Sequence, residues 1–144
     1  MALAVQVVID CADPASLALF WAGALGYTVQ PPPPGFATWD AFLTQMGVPE
    51  SQWNSRSAVV DPVGAGPRIF FQRVPEPKTV KNRVHLDIRA SGAPQVEGAE
   101  RRARIDAKVE ELVAEGATRL HDKDEMGEYW VVMQDPEGNE FCVT

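Results

Sequence analysis

Apolar and polar residues alternate through Val5, Val7, Ile9 and Cys11, and again through Val84, Leu86 and Ile88. That is the period-two signature of strands buried on one face. Each of these runs leads into a stretch with helical spacing. The first helix is expected over about Pro14 to Leu25, with Asp13 as N-cap, Pro14 in the first turn and Gly26 as the stop, and its apolar stripe is Leu17, Phe20, Trp21 and Leu25. The second is expected over about Val96 to Ala114, carries Ile105, Val109, Leu112 and Val113, and stops at Gly116.

The endings of the two halves also match. Val59-Val60-Asp61-Pro62-Val63-Gly64 leads into Arg68 to Val74, and Val131 to Gly138 leads into Asn139 to Val143. Asp-Pro-x-Gly between apolar runs is turn chemistry, because proline presets φ and glycine accepts positive φ. The chain therefore repeats a strand-helix-strand-strand-strand pattern, module 1 over about 1–76 and module 2 over about 82–144, within a single domain of 144 residues. The halves differ in length at one place, since 35 positions separate Gly26 from Asp61 but only 19 separate Gly116 from Asp135. The extra segment, roughly Phe36 to Trp53, is expected to form one short helix with a capping loop. Pro31 to Pro34 ahead of it form a stiff spacer, and Pro75 to Asn82 form the connection between modules.

These residues resemble a known family. Ile9-Asp10-Cys11-Ala12-Asp13-Pro14, Leu19-Phe20-Trp21, Leu25-Gly26-Tyr27, Lys81 to Asp87 and Asp135 to Cys142, in this order and spacing, are similar to the glyoxalase-like branch of the vicinal oxygen chelate superfamily, which includes bleomycin-resistance proteins. The resemblance implies an α+β fold of two tandem βαβββ modules. Their mixed sheet would be U-shaped and barrel-like, with helices on the convex side, and homodimers are common.

Strand parity converts that expectation into residues. Gln6 and Asp10 on the first strand, Gln72 on the fourth, Arg83, His85 and Asp87 on the fifth, and Glu140 on the last would line one concavity, with Trp39 and Trp53 of the inserted segment as an aromatic wall. His85 and Glu140 are the candidate catalytic acid/base pair, and the others are candidate ligand-binding residues. An alternative reading has Arg83, Asp10, Asp87 and Glu140 neutralising one another as architecture. His121 lies among charges near an exposed turn and is expected to be structural.

The resemblance also implies metal ligands on the first, fourth, fifth and last strands. Parity aligns Gln6, Gln72, Arg83 and Glu140 with those strands, and Arg83 is cationic and a donor only. The inherited set is therefore incomplete. The expectation is no cofactor, and any divalent metal would be held by Gln6, Gln72, His85 and Glu140. Two amide oxygens make a weak site, and the two histidines and glutamate expected of a dioxygenase are not all present.

Charge and composition narrow the partners. Twenty acidic against 13 basic residues give a formal net charge of −7, so nucleic acid and anionic membrane surfaces are not expected partners. Met1 to Val5 lack the pattern of a secretory signal, and a soluble cytoplasmic protein is expected. Cys11 and Cys142 are expected to stay reduced. Neither a phosphate-cradling glycine loop nor a Gly-x-Ser-x-Gly elbow occurs. Two functions stay open. One is a cleft that binds or sequesters a small, anionic organic molecule without a catalytic metal; the other is a glyoxalase-type lyase or isomerase using His85 and Glu140. Beside these two stands the reading of a domain serving only dimerisation or partner binding.

Overall fold

The computed structural model describes residues 1–92 and 96–144, and these divide into two compact units, Met1–Pro77 and Lys78–Thr144. The division falls inside the Pro75 to Asn82 connection. Unit 1 contains β1 (Val7–Cys11), α1 (Pro14–Leu25), β2 (Thr28–Val29), α2 (Trp39–Gln45), a 3-10 helix (Glu50–Ser55), β3 (Arg56–Val60) and β4 (Ile69–Arg73). Unit 2 contains β5 (Asp87–Ile88), α3 (Gly98–Ala114), β6 (Thr118–Glu125), β7 (Glu128–Gln134) and β8 (Glu140–Val143).

Each unit folds its strands into one four-stranded mixed sheet, ordered β1-β4-β3-β2 in the first and β5-β8-β7-β6 in the second. In both, the first strand pairs in parallel with the last, and the remaining neighbours are antiparallel. The repeat in the sequence is thus a repeat in topology, two βαβββ modules.

The helix caps explain where α1 begins and ends. Asp13 accepts from the Ser16 backbone N–H at 3.2 Å, Pro14 opens the helix, and Gly26 closes it at φ 68°. Asn54 of the 3-10 helix ties this start to the inserted segment, donating to Asp13 at 2.8 Å and accepting from the Ala15 N–H at 2.9 Å. Leu17, Phe20 and Trp21 are buried, with Val59 and Phe71 supplying the sheet side of the core. In module 2, Ile105, Val109 and Leu112 of α3 are buried, as are Val131, Met133, Phe141 and Val143 of the sheet. Val113 instead lies half-exposed, because it falls one position past the stripe.

Both hairpin turns are built by the aspartate rather than by proline and glycine alone. Asp61 accepts from the backbone N–H groups of Val63, Ala65 and Gly66, and Asp135 from those of Glu137 and Asn139. A Cβ at Gly66 would overlap the Tyr27 hydroxyl, so this turn also needs glycine.

Three expectations change. The first strand begins at Val7, and Val5 lies outside it and exposed. The fifth strand has only Asp87–Ile88 in its ladder, and Val84, expected in the core, is exposed because the chain bends at Arg83 and Val84 before pairing starts. The inserted segment forms two short helices rather than one, separated by a turn with Gly47 at φ 71°.

Candidate functional site

Helix packing claims one face of each sheet, and the register places the candidate polar residues on the other. In module 1 the pairs Val8↔Phe70↔Ala58 and Asp10↔Gln72↔Arg56 form two rows across that face. A third row follows from the same register and is joined by side chains. Arg68 donates through Nη1 to Gln6 Oε1 and through Nε to Gln30 Oε1, both at 2.7 Å, and its guanidinium lies 5.2 Å from the Phe70 ring centre.

Gln6, Asp10 and Gln72 therefore share a face, as parity requires, but not a point. Gln6 and Gln72 are four residues apart along the strand direction and one strand apart across it, about 14 Å between Cα atoms. They cannot converge on one ion. Trp39 and Trp53 also belong to module 1. The Trp39 indole N–H donates to the Gln30 carbonyl at 2.8 Å, that of Trp53 to the Val48 carbonyl at 3.0 Å, and Phe42 packs edge-on against both Phe36 and Trp39. Both tryptophans thus brace the inserted segment.

In module 2 the register pairs Asp87 with Cys142, and Cys142 with Val132. His85, two residues before Asp87, completes a cluster: one donor atom each from His85, Asp87 and Cys142 lies within 4.8 Å of the others. His85 Nε2 stands 3.6 Å from Asp87 Oδ1, with both side chains about half exposed, whereas Cys142 is buried. Burial pushes the Cys142 thiol pKa up, the Asp87 charge adds to it, and Lys81 opposes. The sulfur is therefore a neutral thiol near pH 7 and a weak nucleophile.

Glu140 stands outside this cluster. Its Oε2 accepts from the Asn82 backbone N–H at 3.0 Å and pairs with Lys78 Nζ at 3.2 Å. Burial pushes its pKa up, but the Asn82 N–H, its own backbone N–H and Lys78 outweigh that and hold the carboxyl below its usual range. It is ionised, neutralised and hydrogen-bonded at neutral pH. Arg83 lies exposed at the bend ahead of β5, and His121 sits exposed on β6 opposite Val132.

The donor set inherited by resemblance does not fit a metal ion. Gln6 Oε1 already faces a guanidinium, Gln72 is too far from it, and Glu140 is paired with Lys78. The His85–Asp87–Cys142 group, with one nitrogen, one oxygen and one sulfur, is the better set of ligands within a single module. Cys142 shares the outer face of β8 with Glu140, and the β5–β8 register shows that Cys142 is the one that meets Asp87. Arg68 was missed although the expected strand run began with it, and the signal in the sequence was its parity with Phe70 and Gln72.

The comparisons agree with this architecture. The family model for a glyoxalase-like domain matches residues 6–144. A mutant of the fosfomycin resistance protein FosX from Listeria monocytogenes, solved with Mn(II) and 1S,2S-dihydroxypropylphosphonic acid, superposes with a TM-score of 0.63 at 9% identity over 99% of this chain and 89% of its own. A possible glyoxalase from Bacillus cereus gives 0.61 at 14% identity, covering 100% and 99%. A glyoxalase/bleomycin resistance protein/dioxygenase family enzyme from Burkholderia phytofirmans PsJN gives 0.57 at 16% identity, covering 96% and 94%. No curated protein matches the sequence. The chain belongs to the glyoxalase-like domain family, within the glyoxalase/bleomycin resistance/dioxygenase fold. Among the described residues no helix is long and apolar enough to cross a membrane.

Proposed function

We propose that this protein binds a small, anionic organic molecule on the sheet faces turned away from its helices, without acid/base catalysis by Glu140. The observation that carries this reading is the engagement of Glu140. Its carboxylate is held by Asn82 and Lys78 with a lowered pKa, so it has no proton to donate and is a poor base. Native mass spectrometry of the purified protein tests the reading. A retained organic molecule that survives in the Glu140→Gln variant is the expected result, and loss of turnover or of retention in that variant alone would count against it. A homodimer, which the family resemblance implies, is part of the same proposal and is read by sedimentation.

The second reading is a metal-assisted lyase or isomerase, favoured by the cluster of His85, Asp87 and Cys142. FosX from Listeria, a fold relative, is solved with Mn(II). A bound ion would supply Lewis-acid stabilisation of neighbouring substrate oxygens. In this chain His85, Asp87 and Cys142 would hold it, and the buried Cys142 would give up its proton on binding. Metal analysis of the purified protein, with thermal shifts in Zn, Ni, Mn and Fe, separates the two readings.

A further inference from the structure

Among the described residues none of the three arginines of module 1, Arg56, Arg68 and Arg73, pairs with a carboxylate, and Arg68 is the one that two glutamine side chains hold. It is half-buried, yet no carboxylate pairs with it among the described residues, in a chain of net charge −7. Its guanidinium is nevertheless fixed, because Gln6 and Gln30 each accept one N–H and the Phe70 ring lies beside it. Those contacts use Nε and one Nη1 proton, and among the described residues no acceptor meets the Nη2 side of the fork. Both glutamine oxygens point at the cation, so their amide N–H groups are further donors on the same face. A guanidinium already oriented by two amides loses little further freedom when it takes an anion through a charge-assisted hydrogen bond.

The surroundings define the remainder of the ligand. Next to the Gln6–Arg68 row lie Val8, Phe70 and Ala58, with Val8 exposed and Phe70 half-buried, an apolar floor beside the guanidinium. Asp10, the acid on that face, is two rows further along and makes no ion pair with Arg68.

We infer that Arg68, oriented by Gln6 and Gln30, is an anion-recognising residue of module 1, binding the carboxylate of a small molecule whose aromatic or branched apolar body rests on Val8 and Phe70. This deepens the small-molecule reading above and rests on it.

The test uses the full chain with benzoate and benzyl alcohol as probes, titrated by calorimetry and followed by NMR. Benzoate is expected to bind more tightly than benzyl alcohol. Arg68→Met is expected to weaken benzoate at least about tenfold and to leave benzyl alcohol within about twofold. Gln6→Leu and Gln30→Leu, which keep the charge but release its orientation, are expected to weaken benzoate about threefold or more. They decide the matter if Arg68→Met does not fold, as judged by circular dichroism. Equal binding of both probes, unchanged by the Arg68 or glutamine variants, overturns the anion subsite and leaves small-molecule binding standing. Failure of both probes to bind overturns the subsite, and a retained molecule in the native mass spectrum then still supports the broader reading.

Discussion

The two modules are built alike and carry opposite chemistry at equivalent positions. Counting from each turn aspartate, Val59↔Ile69 in module 1 corresponds to Met133↔Phe141 in module 2, and the parallel ladders then make Gln6 and Val8 equivalent to His85 and Asp87. By the same count Arg68 and Phe70 are equivalent to Glu140 and Cys142. Module 1 thus offers a cation held by two amides over an apolar floor, whereas module 2 offers a carboxylate held by a lysine beside a His/Asp/Cys group. Helix-side positions stay apolar in both, as Ile69 and Phe141 or Phe71 and Val143 show. Packing constrains one face of a duplicated sheet, and the other is free to diverge.

The sharpest challenge to this equivalence is the core. Phe71→Ala and Phe141→Ala should each destabilise the protein by about 3–5 kcal/mol in urea denaturation, since both rings are buried on the helix side. A small loss at one of them would show that the helix faces are not equivalent. The turns should differ next. Asp135 is buried and accepts from Glu137 and Asn139, so Asp135→Ala should cost about 3 kcal/mol, whereas the more exposed Asp61 should lose less on the same change.

Cadmium or cobalt titration compares the outer faces. A thiolate charge-transfer band is expected, and Cys142→Ala or His85→Ala should weaken binding about tenfold or more, while Gln6→Ala changes nothing. An equal response to Gln6→Ala would overturn the single-module donor set.

The smallest effect concerns acid. Glu140 is lowered in the folded state, so its contribution is present above the unfolded value near 4.5 and is lost as pH falls through the folded value. Melting curves between neutral and acid pH should show Glu140→Gln costing about 1 kcal/mol at pH 7 and converging with the parent at low pH. At the alkaline end Tyr129, pushed up to about 12 by burial and by the Asp106 hydrogen bond, should cause stability to fall as pH rises from about 10 towards that value. Tyr129→Phe should reduce that slope, leaving the part due to Tyr27, whose hydroxyl pKa burial also pushes up.

Much of the scaffold was legible beforehand for local reasons. Asp13, Pro14 and Gly26 bracket α1 because caps act within one turn, and the alternation of Val7, Ile9 and Cys11 needs only the pleat. Parity also put Asp10, Gln72 and Asp87 on the strand faces turned away from the helices, while Gln6 and His85 lie just outside their strands. Parity says nothing about which row of one strand meets which row of the next. Hence the capture of Glu140 by Lys78 and Asn82 and the meeting of Asp87 with Cys142 were not foreseen, and Arg68 was passed over although two glutamines converge on it.

What the amino-acid order determined alone is a duplicated βαβββ chain with one apolar and one polar face to each strand, because those features depend on neighbours within a few residues. What only the tertiary structure decided is the pairing register, and with it the His85–Asp87–Cys142 group, the capture of Glu140 by Lys78 and the hold of two glutamines on Arg68. Register is set by the whole core settling against its helix, so a contact between residues sixty positions apart is written in no short stretch of the chain.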